Sequence, residues 1–389
     1  MSKQPNKLIS ILNYIFSTKN LDKRDTGIDL IKTFAVISVL SVHFLLNNGY
    51  YSIPMTETDI LFPTAFRWLM FTGVPLFFMS TGYLKRKTAF NALHYVKILP
   101  IVITTFLVGG LTVLYKVYLL GESFPLFTWL RSIWAYEQPT YAWYVNIYLS
   151  LALIIPFLSY GWNAIESVRK KQMMIIVFAI LTSLPTQINR WPVEGANFGF
   201  APNKWTVCYA ITYFLIGAYI AEYRPKIKKW VSGLLLLACI GYQTAKTYNT
   251  ADGGNFYTGV CADYEDLITV ITGTVLFLFL YDIKINFKPV RAILASVSSV
   301  TLGLYLLSWI VDNELYAYHN YIGTFKDGVS SMPVGYLRII PLDFAVCFVG
   351  ATILNVITKL ITNPIIRLVA RKTQKPEVVS EEKRETVKV

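Results

Sequence analysis

Apolar residues run through this chain in long blocks, not in the alternation of a half-buried strand or the narrow stripe of a surface helix. Blocks of about 17 or more such residues are long enough to cross a bilayer as helices. Ten occur, at 28–46, 61–83, 98–115, 141–161, 173–189, 206–222, 230–247, 265–282, 292–311 and 334–362. The pattern predicts an all-α fold, a polytopic membrane helical bundle with about ten transmembrane helices. The polar interruptions alternate in character. One set is short and basic (85–87, 169–171, 224–229); the other is longer and rich in aromatics, Gly, Asn and Asp (116–140, 190–205, 248–264, 312–333). With the amino terminus in the cytoplasm, 26 of the 36 Lys and Arg fall inside and 5 within spans, leaving 5 outside (Lys116, Arg131, Arg190, Lys204, Lys326). Basic residues accumulate on cytoplasmic loops, and one missed crossing would invert every later loop, so both termini are expected to be cytoplasmic. Loops as long as the outer set are more often functional or partner-facing than idle.

Composition narrows the class. At 54% hydrophobic and 15% charged, with a mean hydropathy of +0.46, the chain is no soluble domain, and the lipid bilayer is an expected partner. A net charge of +13 would suit nucleic acid, but the basic residues sit in clusters between apolar runs, so no nucleic-acid partner is expected. Cys208, Cys239, Cys261 and Cys347 lack metal-ligand spacing, which indicates neither a zinc site nor a disulfide framework. Residues 1–24 form a basic cytoplasmic segment in which Leu8, Ile11, Leu12 and Ile15 share a helical face, suiting a short interfacial helix or a partly ordered tail. No small-residue cleavage site follows, so the first span is read as retained. The transmembrane domain covers 25–365, and the polar, charge-mixed segment 366–389 is expected to be a disordered cytoplasmic tail. No repeat of fixed period and no appended water-soluble domain is seen.

The chemistry concentrates in the first block, where Asp29, Lys32 and His43 interrupt an otherwise apolar helix. Ionisable groups at that depth face a bundle interior or a water-filled cavity. Eleven positions separate Lys32 from His43, which puts them within roughly 20° of one face and roughly 16 Å apart along the axis. His43 alone of the three histidines (with His94 and His319) lies in a span, as a general base or as a core histidine tied to a neighbouring helix. Lys32 either binds an anionic group from the cytoplasmic side or snorkels to the headgroups. In the second block Arg67 binds a substrate anion, pairs with a carboxylate or snorkels outward, while Gly73, Pro75, Ser80 and Gly82 let helices approach or open a cavity. The segment Tyr141-Ala-Trp143-Tyr144-Val-Asn146 opens the fourth block, its rings read as an interfacial belt or as sugar-stacking. Tyr305, Ser308 and Asp312 fall at i, i+3 and i+7 on one helical face, with Arg338 and Asp343 as further polar groups. No Gly-rich phosphate loop, nucleophile elbow or HExxH metal signature is present, and no metal is expected.

Taken together these blocks resemble the acyltransferase-3 family of integral membrane acyltransferases, which includes polysaccharide O-acyltransferases and intercellular adhesin membrane proteins. Its signature, Arg or Lys, ten residues, then His, is met by Lys32 and His43, preceded by the family-like Asp29. GVPLFFMSTGYL at 73–84, WYVNIYLSLALIIPFL at 143–158, YFLIGAYIAE at 213–222 and TLGLYLLSWIVD at 301–312 resemble further shared motifs, and the likeness spans roughly 25–365. Two positions depart. Lys32 keeps the charge of the commoner Arg but loses its bidentate fork; Ser308 stands where the family often has His, so no imidazole role carries over there. The resemblance implies transfer of an acyl group, acetyl above all, from cytoplasmic acyl-CoA to a hydroxyl of a cell-envelope or exopolysaccharide glycan. It implies a bacterial plasma-membrane protein working beside polysaccharide-synthesis proteins, with acyl-CoA as donor substrate and no permanently bound cofactor. Lys32 would then bind the donor and His43 act as base or acyl carrier, with Arg67, Trp143, Tyr144, Tyr305 and Ser308 binding substrate. An exporter of a glycan or small solute fits the same helices and charges, although no paired halves with matching broken helices are found. A membrane scaffold or sensor is the third reading.

Overall fold

A computed structural model describes residues 7–373, apart from 17, 20, 124, 190, 191, 194, 195, 198–201, 257–262 and 319–328. Arg190, Cys261, His319, Lys326 and most of the expected tail, 374–389, lie outside the described residues, as does the side chain of Leu8.

All ten apolar blocks fold as helices. The elements are α1 (Lys7–Ile15), α2 (Thr26–Asn47), α3 (Leu61–Phe71), α4 (Gly73–Lys85), α5 (Ala92–Val96), α6 (Leu99–Tyr118) and α7 (Leu126–Trp134), followed by α8 (Trp143–Ala164), α9 (Val168–Asn189), α10 (Tyr209–Tyr223), α11 (Lys229–Ala251), α12 (Leu267–Leu280), α13 (Lys288–Tyr318) and α14 (Met332–Thr373). Among the described residues, eight helical segments are long and apolar enough to cross a membrane. The two blocks that fall short are α11, whose second half turns polar from Gln243 to Thr250, and α12, whose 14 residues reach about 21 Å against a hydrocarbon core of about 30 Å. They pair antiparallel: Lys229 at the start of α11 donates to the Phe279 carbonyl and to Asp282 beyond the end of α12, and Thr272 donates to Gln243 Oε1 at 3.1 Å.

Three boundaries differ from the sequence reading. The second block is two helices, broken at Thr72, because Pro75 has no N–H and its ring would strike the carbonyl four residues back. Helix α13 runs past 311 to Tyr318, so Asp312 sits inside the helix and not in an outer loop. Helix α14 continues to Thr373, so 366–373 is helical where a disordered tail was expected; Ile365, Leu368 and Val369 alternate there with Arg367, Arg371 and Lys372.

Helix α2 lies at the centre, packed against α3, α4, α12, α13 and α14. Ile31, Ala35, Val36, Leu40, Phe44 and Leu45 are wholly buried, and the small polar residues among them satisfy themselves locally. Thr33, Ser38 and Ser41 each donate to the carbonyl four residues back, at 2.7–2.8 Å. Asp25 caps the start, accepting from the Gly27 and Ile28 amides, and takes a 2.8 Å bond from the Tyr83 hydroxyl. Helices α4 and α10 cross with backbones nearly touching. A Cβ on Gly82 would sit 1.9 Å from the Phe214 carbonyl oxygen and one on Gly217 2.0 Å from that of Met79, so only glycine fits at either position.

Candidate functional site

The last two turns of α2 carry His43 into a pocket built by α13, α14 and the turn before α8. The His43 ring is 9% exposed and stacks on Tyr141, with centroids 3.7 Å apart and planes inclined by 27°. Its Nδ1 lies 3.7 Å from Asp312 Oδ2, too far for a hydrogen bond but within ion-pair range. The same carboxylate oxygen accepts from the Tyr141 hydroxyl at 2.9 Å and from Asn47 Nδ2 at 3.5 Å. Asp312 is thereby anchored by groups other than the imidazole, and a ring shift of about 0.7 Å would close the contact to hydrogen-bonding distance. Catalytic hydrogen bonds are often long in a ligand-free protein and tighten with substrate. Closing that contact would put a carboxylate on Nδ1 and leave Nε2 for a reacting hydroxyl, the arrangement of an Asp–His dyad.

Asp343, fully buried on α14, lies within electrostatic reach of Asp312 and accepts from Cys347 Sγ at 3.1 Å. Two carboxylates buried in one cluster carry a large desolvation cost, which a counter-charge or hydrogen-bond donors must offset. Polar atoms here have no hydrogen-bond partner among the described residues: His43 Nδ1, Asp312 Oδ1, Asp343 Oδ2 and the Tyr316 hydroxyl. Unmet buried polar atoms in a cluster are expensive in a purely structural core and ordinary where a substrate completes the set.

Lys32, eleven residues earlier, faces a different space. A cavity of about 520 Å³ opens between α2, α4, α6, α8, α13 and α14, with Lys32, Lys85 and Lys359 in its wall. Lys32 Nζ donates to the Ser298 carbonyl at 2.5 Å, while its expected neighbour Asp29 is taken by Arg24 through bonds of 2.8 and 2.5 Å. The ammonium therefore has no carboxylate partner among the described residues. Tyr144 and Tyr305 also line the cavity, and the Tyr305 ring lies 6.3 Å from that of His43. The Tyr305 hydroxyl donates to the Tyr141 carbonyl, so this side chain stands between the cavity and the dyad.

The family model for this fold, described as an acyltransferase domain, matches residues 25–358, which takes in Lys32, His43, Asp312 and Asp343. The chain belongs to the acyltransferase-3 family. Neither the curated proteins nor the solved structures gave a match. Membership makes this protein a membrane acyltransferase, and its apolar helices make it a multi-pass one. Both favour the enzyme over the exporter and the scaffold.

The structure brings some of the sequence candidates together and scatters others. His43 and Tyr305 meet at one place, and Lys32, Tyr144 and Tyr305 share the cavity. Ser308 is wholly buried, donates to the Tyr305 carbonyl of its own helix at 2.8 Å and does not line the cavity. Trp143, 39% exposed, stacks on Tyr264 away from His43. Arg67 sits apart in an aromatic enclosure, and Arg338 is exposed. Residue reading took Tyr141 only as part of a belt or sugar-stacking segment, and passed over Asn47, Lys85 and Lys359 as site residues. A signal existed for Lys359, one of the five basic residues placed inside a span; none existed for Asn47, whose role depends on where α13 ends.

Proposed function

We propose that this acyltransferase moves an acyl group, acetyl above all, from acyl-CoA on the cytoplasmic side to a hydroxyl of a cell-envelope glycan. The observation that carries the reading is the cavity with Lys32, Lys85 and Lys359 in its wall, ending at Tyr144 and Tyr305 next to the His43–Asp312 dyad. Three ammonium groups suit the phosphates of coenzyme A. The excess of basic residues on one set of loops supports placing the termini, and hence the Lys32 end of α2, in the cytoplasm of a bacterial plasma membrane.

In this mechanism the acceptor hydroxyl lies against His43 Nε2, which takes its proton as the oxygen attacks the thioester carbonyl. The carbon–sulfur bond then breaks, and the departing thiolate recovers the proton from the imidazolium. Asp312 holds the ring through Nδ1 and offsets the positive charge it gains, supporting a proton transfer by His43 worth about 10²–10⁴ in rate. Attack by Nε2 itself, forming an acyl-imidazole that the sugar then clears, uses the same groups.

The test is transfer of labelled acetyl from acetyl-CoA to envelope glycan by membranes holding the wild-type protein or His43→Ala at equal abundance. Label in the glycan that disappears with His43→Ala supports the reading. Undiminished labelling in the variant removes His43 from the chemistry, and no labelling by the wild type under any acyl-CoA removes the donor.

A further inference from the structure

Arg67 does not behave as a snorkelling or structural arginine. Its position six residues into α3 puts it about 9 Å below that helix's start, comparable with His43, which lies about 6 Å from the end of α2 on the same side of the bundle. The side chain is 4% exposed. Among the described residues two Lys or Arg side chains are buried, and they differ: Lys171 holds Glu222 at 2.7 Å, whereas Arg67 has no carboxylate within ion-pair distance.

What surrounds the guanidinium is aromatic. Its carbon lies 4.1 Å from the Trp68 ring centre, 4.3 Å from Phe71 and 4.7 Å from Phe256. Nε donates a 3.3 Å bond to the Tyr51 hydroxyl, and Nη1 is buried with no partner. Ring faces stabilise a cation without discharging its hydrogen-bonding capacity, so the enclosure holds a positive charge and leaves its fork unmet. A planar guanidinium in that state is complementary to a carboxylate or a phosphate. The rings continue outward: Phe71 stacks on Tyr264 at 4.3 Å and 10°, and Tyr264 on the exposed Trp143 at 5.4 Å and 21°. The exposed Trp143 indole at the outer end of this stack suits a sugar ring, and so an anion carried by a saccharide, better than a free ion needing no platform.

We propose that the Arg67 enclosure binds a carboxylate borne by a saccharide, which makes the acceptor an acidic glycan; this rests on the glycan acceptor proposed above. Binding is measured without acyl-CoA, on the full chain purified in detergent, so that it stands apart from transfer. The probes are a trigalacturonate, the same trisaccharide with its carboxyls reduced, and inorganic phosphate, read by thermal shift and calorimetry. The expected result is that the trigalacturonate binds, the reduced sugar and phosphate bind at least tenfold more weakly, and Arg67→Gln loses the preference. Arg67→Lys, which retains the charge and the fold but not the fork, is expected to fall between. Equal binding of the reduced sugar, phosphate binding as tight as the trisaccharide, or a preference unchanged in both Arg67 variants overturns the assignment. Should Arg67→Gln fail to fold, Arg67→Lys and Trp143→Ala, which removes the exposed end of the ring path, decide it: both must weaken trigalacturonate binding. Wild-type protein that binds the acid yet transfers no acyl group sinks the acyltransferase mechanism and leaves this site standing.

Discussion

The two ends of α2 present their ionisable groups to opposite kinds of surroundings. Lys32 faces an open cavity, bonded only to a backbone carbonyl, in company with two other lysines on α4 and α14. His43 is enclosed by a stacked tyrosine, a buried carboxylate and helices on several sides. A mobile anionic ligand needs room and long-range charge, and a proton-transfer group needs a fixed ring and a dry, oriented partner. One helix supplies both because its eleven-residue spacing keeps the two groups on one face while moving them roughly 16 Å through the bundle. Tyr305 stands at the boundary, lining the cavity while its hydroxyl is held by the Tyr141 carbonyl.

If that division of labour holds, substitutions at the two ends separate in the kinetics. The largest effect is expected at the enclosed end. Asp312→Ala should lower kcat about 10²-fold or more with little change in KM for acyl-CoA, since the imidazole loses the group that orients and neutralises it. An equal rise in KM would show that the dyad also holds the donor. At the open end, Lys32→Ala should raise KM for acyl-CoA about tenfold and leave kcat nearly alone, in line with the 1.5–3 kcal/mol of a charge-assisted hydrogen bond. Its penalty should shrink as salt is raised, because the cavity is open to ions. A fall in kcat with unchanged KM would break the comparison.

Gly217→Ala comes next and touches the cavity wall indirectly. The added Cβ meets the Met79 carbonyl oxygen at 2.0 Å, so α4, which carries Ser80, Thr81 and Lys85 of the wall, must move away from α10. Overpacking of this kind costs about 1–3 kcal/mol. Thermal unfolding in detergent should show the loss, and KM should rise more than kcat falls.

The parts visible in the sequence were those set by local pattern. Long apolar blocks marked every helix but α1, α5 and α7, the last of them inside a stretch read as an outer loop, and the Lys32–His43 spacing marked one polar face, because a helix converts spacing directly into direction. Contacts made across the bundle carry no such local trace. Asp312 was visible only as a polar residue on a stripe; that it meets His43 depends on α13 continuing past the end of its apolar block at Val311, where three polar residues in a row ordinarily mark a loop. The break at Thr72 had a signal in Pro75, masked by an apolar run that continues on both sides. Arg67 was noticed as an intramembrane charge, yet its enclosure depends on Phe256, nearly two hundred residues away in sequence.

The smallest predicted effect is also the control on the open end. Thr104 lines the cavity beside Thr358, to which its hydroxyl is bonded at 3.1 Å, and Thr104→Val keeps the shape of the wall while deleting that bond. A neutral bond of this kind has a net worth of about 0.5–1.5 kcal/mol, most of it spent on helix contact and not on ligand. KM for acyl-CoA should move less than threefold and kcat not at all. The comparison with Lys32→Ala then isolates charge from shape, since both residues border the same space. A Thr104→Val penalty as large as that of Lys32→Ala would mean that fit, not the ammonium, holds the donor, and the open end would have to be read as a steric pocket whose lysines serve its mouth alone.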